Sequence, residues 1–287
     1  MKKILILLLA AMTAGAAYGQ DDFLTRGEML LSVGGMNYMG DLNNQSVLGK
    51  VNLAASAGVR YSLNNRLAVA GAVAYGRIEG GNPDAIELRN LSFRSPVYEL
   101  SAHIEFNFFP YGGGSTDWQW TPYIFGGVGA FHYNPQASYL DNEGNETWVD
   151  LQPLGTEGQN LNSYPDRVRY SLKQFCLPFG IGIKMRITRW FSLSAEYGFH
   201  ATWTDYLDDV STTYVGAAAL AAGSPDGGLA AQLADRSSEV REGYVNAPGI
   251  KRGDDSLNDW YQMFTVSASF SLNTMFGWTR SKRCTIK

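Results

Sequence analysis

Cysteine is nearly absent: Cys176 and Cys284 are the only two in 287 residues. That is too few for a disulfide framework of the kind that staples small secreted folds. Histidine is scarce as well, with three residues. No metal-ligand spacing, phosphate-binding glycine loop or nucleophile elbow occurs, so the motifs imply no cofactor and no metal. Charged residues make up 17% of the chain, against ~25% in ordinary soluble domains. Acids outnumber bases by 27 to 23, which excludes a broadly basic nucleic-acid footprint. Beyond the N-terminus no stretch approaches ~18 uninterrupted apolar residues, so any membrane residence must be as strands. What the chain does have is 32 glycines, 16 tyrosines, 14 phenylalanines and 7 tryptophans. Few charges with many glycines and aromatics fit a β-rich chain and not a helical bundle, coiled coil or disordered tail.

The N-terminus reads as an address. Lys2 and Lys3 precede an apolar run over residues 4–10, then small residues to Gly19. This is the layout of a secretory signal peptide, expected to be cut after residue 19. The run is shorter than the ~20 residues of a spanning helix. Cleavage removes two lysines and no acids, taking the net charge from −4 to −6.

Period-two alternation then recurs in eight segments of about ten residues, the length of a tilted membrane strand. Leu53, Ala55, Ala57, Val59 and Tyr61 face one way, with Ser56, Gly58 and Arg60 between them. Phe175, Leu177, Phe179, Ile181, Ile183 and Met185 oppose Cys176, Gly180, Lys184 and Arg186. Residues 67–75, 98–108, 191–203 and 264–272 repeat the pattern. Segments near residues 29–41 and 122–133 are glycine-rich, and their facing is less clear. Short turns alternate with long gaps, the last spanning about 205–258. That is the connectivity of an outer-membrane barrel, and it puts both chain ends in the periplasm. A soluble sandwich or lipocalin-like barrel also alternates, but with its apolar face inward. Three features favour the membrane: both faces of segment three are apolar or small, Trp190, Trp203, Trp260 and Tyr261 suggest an interfacial girdle, and the leader opens the route. The expected fold is therefore an eight-stranded antiparallel transmembrane β-barrel over residues 20–272, followed by a basic periplasmic tail, 273–287.

With the apolar face in lipid, the interior receives Arg60, Glu99, His103, Glu105, Lys184, Arg186, Glu196 and His200. Eight strands leave room only for side chains, so these groups should form a paired network. A catalytic His/Glu/Ser set on lipid substrates is the distant alternative, because such sites sit at the membrane rim and His103 and His200 fall near mid-strand. Asp205, Asp208 and Asp209 lack a full calcium ligand set; capping or loop hydrogen bonding suits them better. Residues 229–239 are expected to form one short amphipathic helix. Cys176 should point inward near the loop end of its strand, while Cys284 lies in the tail. A barrel ~25 Å tall parts them, whereas a disulfide spans at most ~7 Å between Cα atoms. Arg280, Lys282, Arg283 and Cys284 then read either as a frayed terminus or, more sharply, as a periplasmic docking segment.

Three motifs add a resemblance. Asn37-Tyr38-Met39-Gly40-Asp41-Leu42 closes the first strand, and Gly155-Thr156-Glu157-Gly158 lies in the third loop. The run from Thr204, Asp205, Tyr206 and Leu207 through Asp208, Asp209, Val210 and Ser211 to Tyr214-Val215 follows the seventh strand. Together they resemble the PorG family of Bacteroidota over essentially the whole mature chain. The resemblance implies an eight-stranded outer-membrane barrel without catalysis. It also implies a place in the type IX secretion system beside a periplasmic PorK–PorN ring, with outer-membrane lipid around it and no nucleic acid. A stand-alone surface barrel binding ligands or cells through its long loops is the alternative.

Overall fold

The computed structural model describes residues 26–43, 50–81, 89–111, 118–141, 143–159 and 161–272. The leader (1–19) and the tail with Arg280, Lys282, Arg283 and Cys284 lie outside the described residues. Eight long strands close on themselves: β1 (Gly27–Met39), β2 (Asn52–Ser62), β3 (Leu67–Gly81), β4 (Ser92–Asn107), β5 (Trp120–Tyr133), β8 (Lys173–Arg186), β9 (Phe191–Thr202) and β10 (Trp260–Ser271). Each pairs antiparallel with the next in chain order, and β1 pairs with β10 to complete the ring. Closure matters because a strand edge in lipid has no water to satisfy its amides. The eight alternating segments thus become the eight barrel strands.

The burial pattern settles which face is in. Leu53 (76% exposed), Val128 (64%) and Ile181 (61%) point outward, while Arg60 and Lys184 are 2% exposed. A soluble barrel would show the reverse, because water rewards outward charge and buried apolar area. The glycine-rich strands resolve the same way. β1 sends Leu31 and Val33 out and Met36 and Tyr38 in; β5 sends Ile124 and Val128 out and Tyr123 and Tyr133 in. The ladder between β5 and β8 runs from Gly126↔Phe179 to Gly129↔Cys176 with no pairing in between, where Pro178 has no N–H to give.

Short turns at one end, the turn end, join β2–β3 and β8–β9; long segments fill the other, the loop end. β3 and β4 are the longest strands, and their outward residues there turn polar (Arg77, Glu79, Arg94). A hairpin absent from the sequence reading, β6 (Gln136–Leu140) with β7 (Glu146–Asp150), extends this wall. It joins β4 by the pairing Arg94↔Gln136, and Arg94 lies 3.5 Å over the Trp148 ring. The last loop also differs from expectation: instead of one helix over 229–239 it forms α1 (Ala217–Gly223), α2 (Gly227–Ala234) and a 3-10 turn (Ser237–Glu239). The break falls at 224–226, where Asp226 caps α2 by accepting from the Leu229 amide. The expected aromatic girdle needs one correction. Trp190 and Trp203 are exposed, but Tyr261 is fully buried, because period two puts it on the inner face.

Candidate functional site: a filled interior under a packed dome

Nearest the turn end, Glu105 stands between two cations. Arg60 Nε donates to its Oε1 at 2.8 Å and Lys184 Nζ to its Oε2 at 2.6 Å. Arg60 also reaches Glu28 at 3.1 Å and Glu196 at 3.6 Å. Tyr123 donates to Glu196, and Lys184 lies 4.6 Å over the Tyr123 ring. His103 Nε2 approaches Glu105 at 3.6 Å and its ring packs on Phe125. Opposite walls are thereby tied across the lumen. Arg186 is not brought into this set: among the described residues it makes no ion pair, and its guanidinium lies 5.0 Å over the Tyr111 ring. It sits two residues closer to the barrel mouth than Lys184, where the aromatic ring and not a carboxylate is in reach.

His200 departs from expectation too. It sits at the loop end of β9, not mid-strand, with Nδ1 2.9 Å from Glu99 Oε2 and its ring stacked on Tyr261. The interior therefore holds two charged clusters. Between them lies a cavity of about 60 Å³ bordered by Glu99, His103, Glu196 and His200.

Above the loop end, residues 151–159, 161–172 and 203–259 fold into a dome centred on Glu157 and Arg252. Arg252 Nη1 donates to Glu157 Oε1 at 2.9 Å and to the Asp209 carbonyl at 2.5 Å, and Nε donates to the Ala234 carbonyl at 3.1 Å. Glu157 also accepts from the Ser211 and Thr212 amides, the Thr212 hydroxyl and the Tyr206 phenol. Two of the resembling motifs thus meet at one buried carboxylate. Asp209 accepts from Thr156 and from Tyr170 at 2.6 Å, and Arg167 clasps the Glu157 and Thr213 carbonyls. Asp209 holds φ +68°, a left-handed conformation that Asp tolerates better than bulky residues. Gly155 and Gly158 stand at φ +64° and +82°, which explains why that motif begins and ends in glycine. Tyr214 pairs through its backbone with residues 249 and 250.

The third motif seals the dome onto β1. Tyr38 lies between Asp208 Oδ2 (2.6 Å) and Asp259 Oδ1 (2.8 Å). A phenol has one proton to give, so one of these carboxyls must hold its own. A Cβ at Gly40 would collide with both Asp259 Oδ1 and the Tyr38 hydroxyl. Asp259 Oδ2 accepts the Leu207 amide at 2.9 Å, Asp208 accepts the Val210 amide, and Asp41 accepts the Asp254 amide at 2.6 Å. Asn37 is buried opposite Gln262. Thr204 accepts the Tyr206 amide and, through its carbonyl, the Asp259 amide. The hydrogen-bonding role expected of the loop aspartates is what the geometry shows for Asp208 and Asp209. Asp205 is half-buried, and its Oδ2 finds no hydrogen-bond partner among the described residues. Burial pushes Asp208 and Asp205 up to about 8 and Asp209 up to about 6, the last opposed by Arg252. Asp259 is raised by burial and then by the charge of Asp208.

Sequence reasoning missed Arg252, Asp259, Tyr170 and Glu28, all partners in these networks. Nothing in their local sequence marks them; each is defined by a residue more than 30 positions away. Glu157 was at least inside a motif.

A family described as a domain of unknown function, DUF6089, matches residues 2–215. No curated protein matches the chain. Similar solved structures include a major outer membrane protein from Thermus thermophilus (12% identity, 85% of this chain and 98% of that one, TM-score 0.40). Others are Neisserial surface protein A (10%, 85% and 96%, TM-score 0.39) and Ail, the attachment invasion locus protein of Yersinia pestis (12%, 85% and 98%, TM-score 0.37). The fold assignment itself rests on the closed ladder and the outward apolar belt.

Proposed function

The chain belongs to the DUF6089 family, and we propose that it is a non-conducting, non-catalytic outer-membrane barrel that anchors or organises a protein secretion complex through its turn end. One observation carries this reading: the interior is filled at the turn end by the Arg60–Glu105–Lys184 network and covered at the loop end by the Glu157–Arg252 dome. The cavity between them holds only about 60 Å³ among the described residues. A barrel that passes nothing acts through its two faces. In this reading the belt of Leu53, Val128 and Ile181 sits in outer-membrane lipid, and both termini and the short turns face the periplasm. The resemblance to the PorG family points the role toward type IX secretion, with a PorK–PorN-like periplasmic ring as partner. Arg280, Lys282, Arg283 and Cys284 are then its contacts. The test is a pull-down from detergent-solubilised outer membranes, using the full chain and a chain ending at residue 272. Periplasmic proteins that co-purify with the first and not the second support the reading.

A second reading has its own support. The dome exposes Val168, Val245, Ile250 and Leu257, apolar side chains on a surface that otherwise favours polar ones. A surface barrel binding ligands or cells through its loops would use them. Partners retained after truncation but lost on Val245→Ser with Leu257→Ser would favour this alternative.

A further inference from the structure

Near the loop end, inner-face residues of neighbouring strands come together: Gly129 on β5 pairs with Cys176 on β8, and His200 on β9 with Tyr261 on β10, with Glu99 on β4 beside them. A carboxylate oxygen of Glu99, Sγ of Cys176 and a ring nitrogen of His200 all lie within 4.8 Å of one another. All three residues are buried. Nδ1 of His200 stands 2.9 Å from Glu99 Oε2, and no other described residue hydrogen-bonds that nitrogen. The space is kept open on the facing strand, since a Cβ at Gly129 would sit 2.8 Å from the Cys176 sulfur.

We propose that Glu99, Cys176 and His200 bind a divalent transition-metal cation inside the barrel, with zinc the best match. Thiolate, imidazole and carboxylate together form the donor set that zinc prefers, and its tetrahedral sites accept three protein ligands plus one more. Around such a centre ligand atoms stand roughly 3.3–3.8 Å apart, from metal–ligand lengths of about 2.0–2.3 Å. Small side-chain rotations bring the three atoms to that spacing. Tyr261 donates to Glu99 Oε2 at 2.7 Å and lies 3.6 Å from the sulfur. It orients the carboxylate and stands beside the fourth position, which it or a water fills. Binding releases the Cys176 thiol proton to solvent. The dication then faces one thiolate and one carboxylate, so the site carries no net charge, which a low-dielectric interior requires. Without metal, Glu99 is held by the Tyr261 hydroxyl and lies beside the His200 ring, so the barrel remains foldable.

The experiment uses the full chain in detergent with Cys284→Ser, which leaves Cys176 as the single thiol. The protein is stripped with EDTA, loaded with cobalt(II) and then titrated with zinc. The expected result is one equivalent of cobalt with a thiolate-to-cobalt charge-transfer band, displaced by zinc. Zinc should also protect Cys176 from a small alkylating reagent. Cys176→Ser should lose the band, and His200→Gln should lose stoichiometric binding. If either variant fails to fold, the parent chain decides alone. No thiolate band, no retained equivalent of metal, or unchanged alkylation with zinc would overturn the site.

Discussion

At the turn end Glu105 sits between Arg60 and Lys184; in the dome Asp208 and Asp259 sit on either side of a single phenol. Both places bury carboxylates completely, but they neutralise them differently. In the barrel wall the compensation is ionic and comes from strands fixed by the ladder. In the dome, guanidinium charge serves Glu157 and Asp209 through Arg252, and the Asp208–Asp259 pair is left to protons and hydrogen bonds. A matched ion network is stable across the neutral range and costs much to break. A proton-dependent cluster is cheaper to alter but responds to pH. The same chain therefore has a rigid end and a responsive end.

The widest gap between the two ends should appear when each loses a buried acid. Glu105→Leu strands Lys184 in the lumen and leaves Arg60 only Glu28 and Glu196, a loss of about 3–5 kcal/mol for a broken buried pair. The urea midpoint in detergent micelles and the heat-shifted gel band should both fall sharply. Asp208→Asn keeps a hydrogen-bonding side chain beside Tyr38 and should leave that midpoint almost unchanged. Equal losses would erase the contrast.

The wall's outer face provides the next effect. Ile181→Arg puts a cation against lipid, at about 2–4 kcal/mol near the midplane, and should depress folded yield in lipid vesicles. Val168→Arg, on the dome surface, should fold as the parent does. Normal folding of Ile181→Arg would place that face in water.

The dome's pH response is smaller and local. Asp208, Asp205 and Asp209 have folded values raised above the ordinary carboxylate range, so each favours the folded dome while protonated. That contribution is complete below about pH 4 and is lost as pH rises through about 6 and then about 8. Limited proteolysis should therefore cut within 203–259 faster at pH 9 than at pH 5, with the barrel intact at both. Asp208→Asn should flatten the dependence. Faster cutting at low pH would reverse the sign and refute the account.

Arg186→Ala should have the least effect. Its cation–π contact with Tyr111 is worth about 0.5–1 kcal/mol at a partly exposed site. A loss matching that of Glu105→Leu would mean Arg186 belongs to the ion network after all.

Alternation alone carried the barrel: with period two, each of the eight segments has to present one apolar face, and few charges remain to line the other. Which face meets water was not in the pattern, since a lipocalin and a membrane barrel share it; the buried Arg60 and exposed Ile181 decided that. The β3–β4 extension and the β6–β7 hairpin were invisible because strands that pack above the belt need no lipid-facing stripe. Arg60, Glu105, Lys184 and Glu196 were legible as interior residues, as parity fixes facing, but parity does not fix height. Height depends on register between strands, and that separated His200 from His103 and sent Arg186 to Tyr111. The motifs around Tyr38, Glu157 and Asp209 were visible as strings, and their meaning was not. Glu157 and Arg252 are 95 residues apart, and Tyr38 and Asp259 are 221 apart. Contacts over such separations are set by how loops cross a closed barrel, which no local preference of the chain encodes.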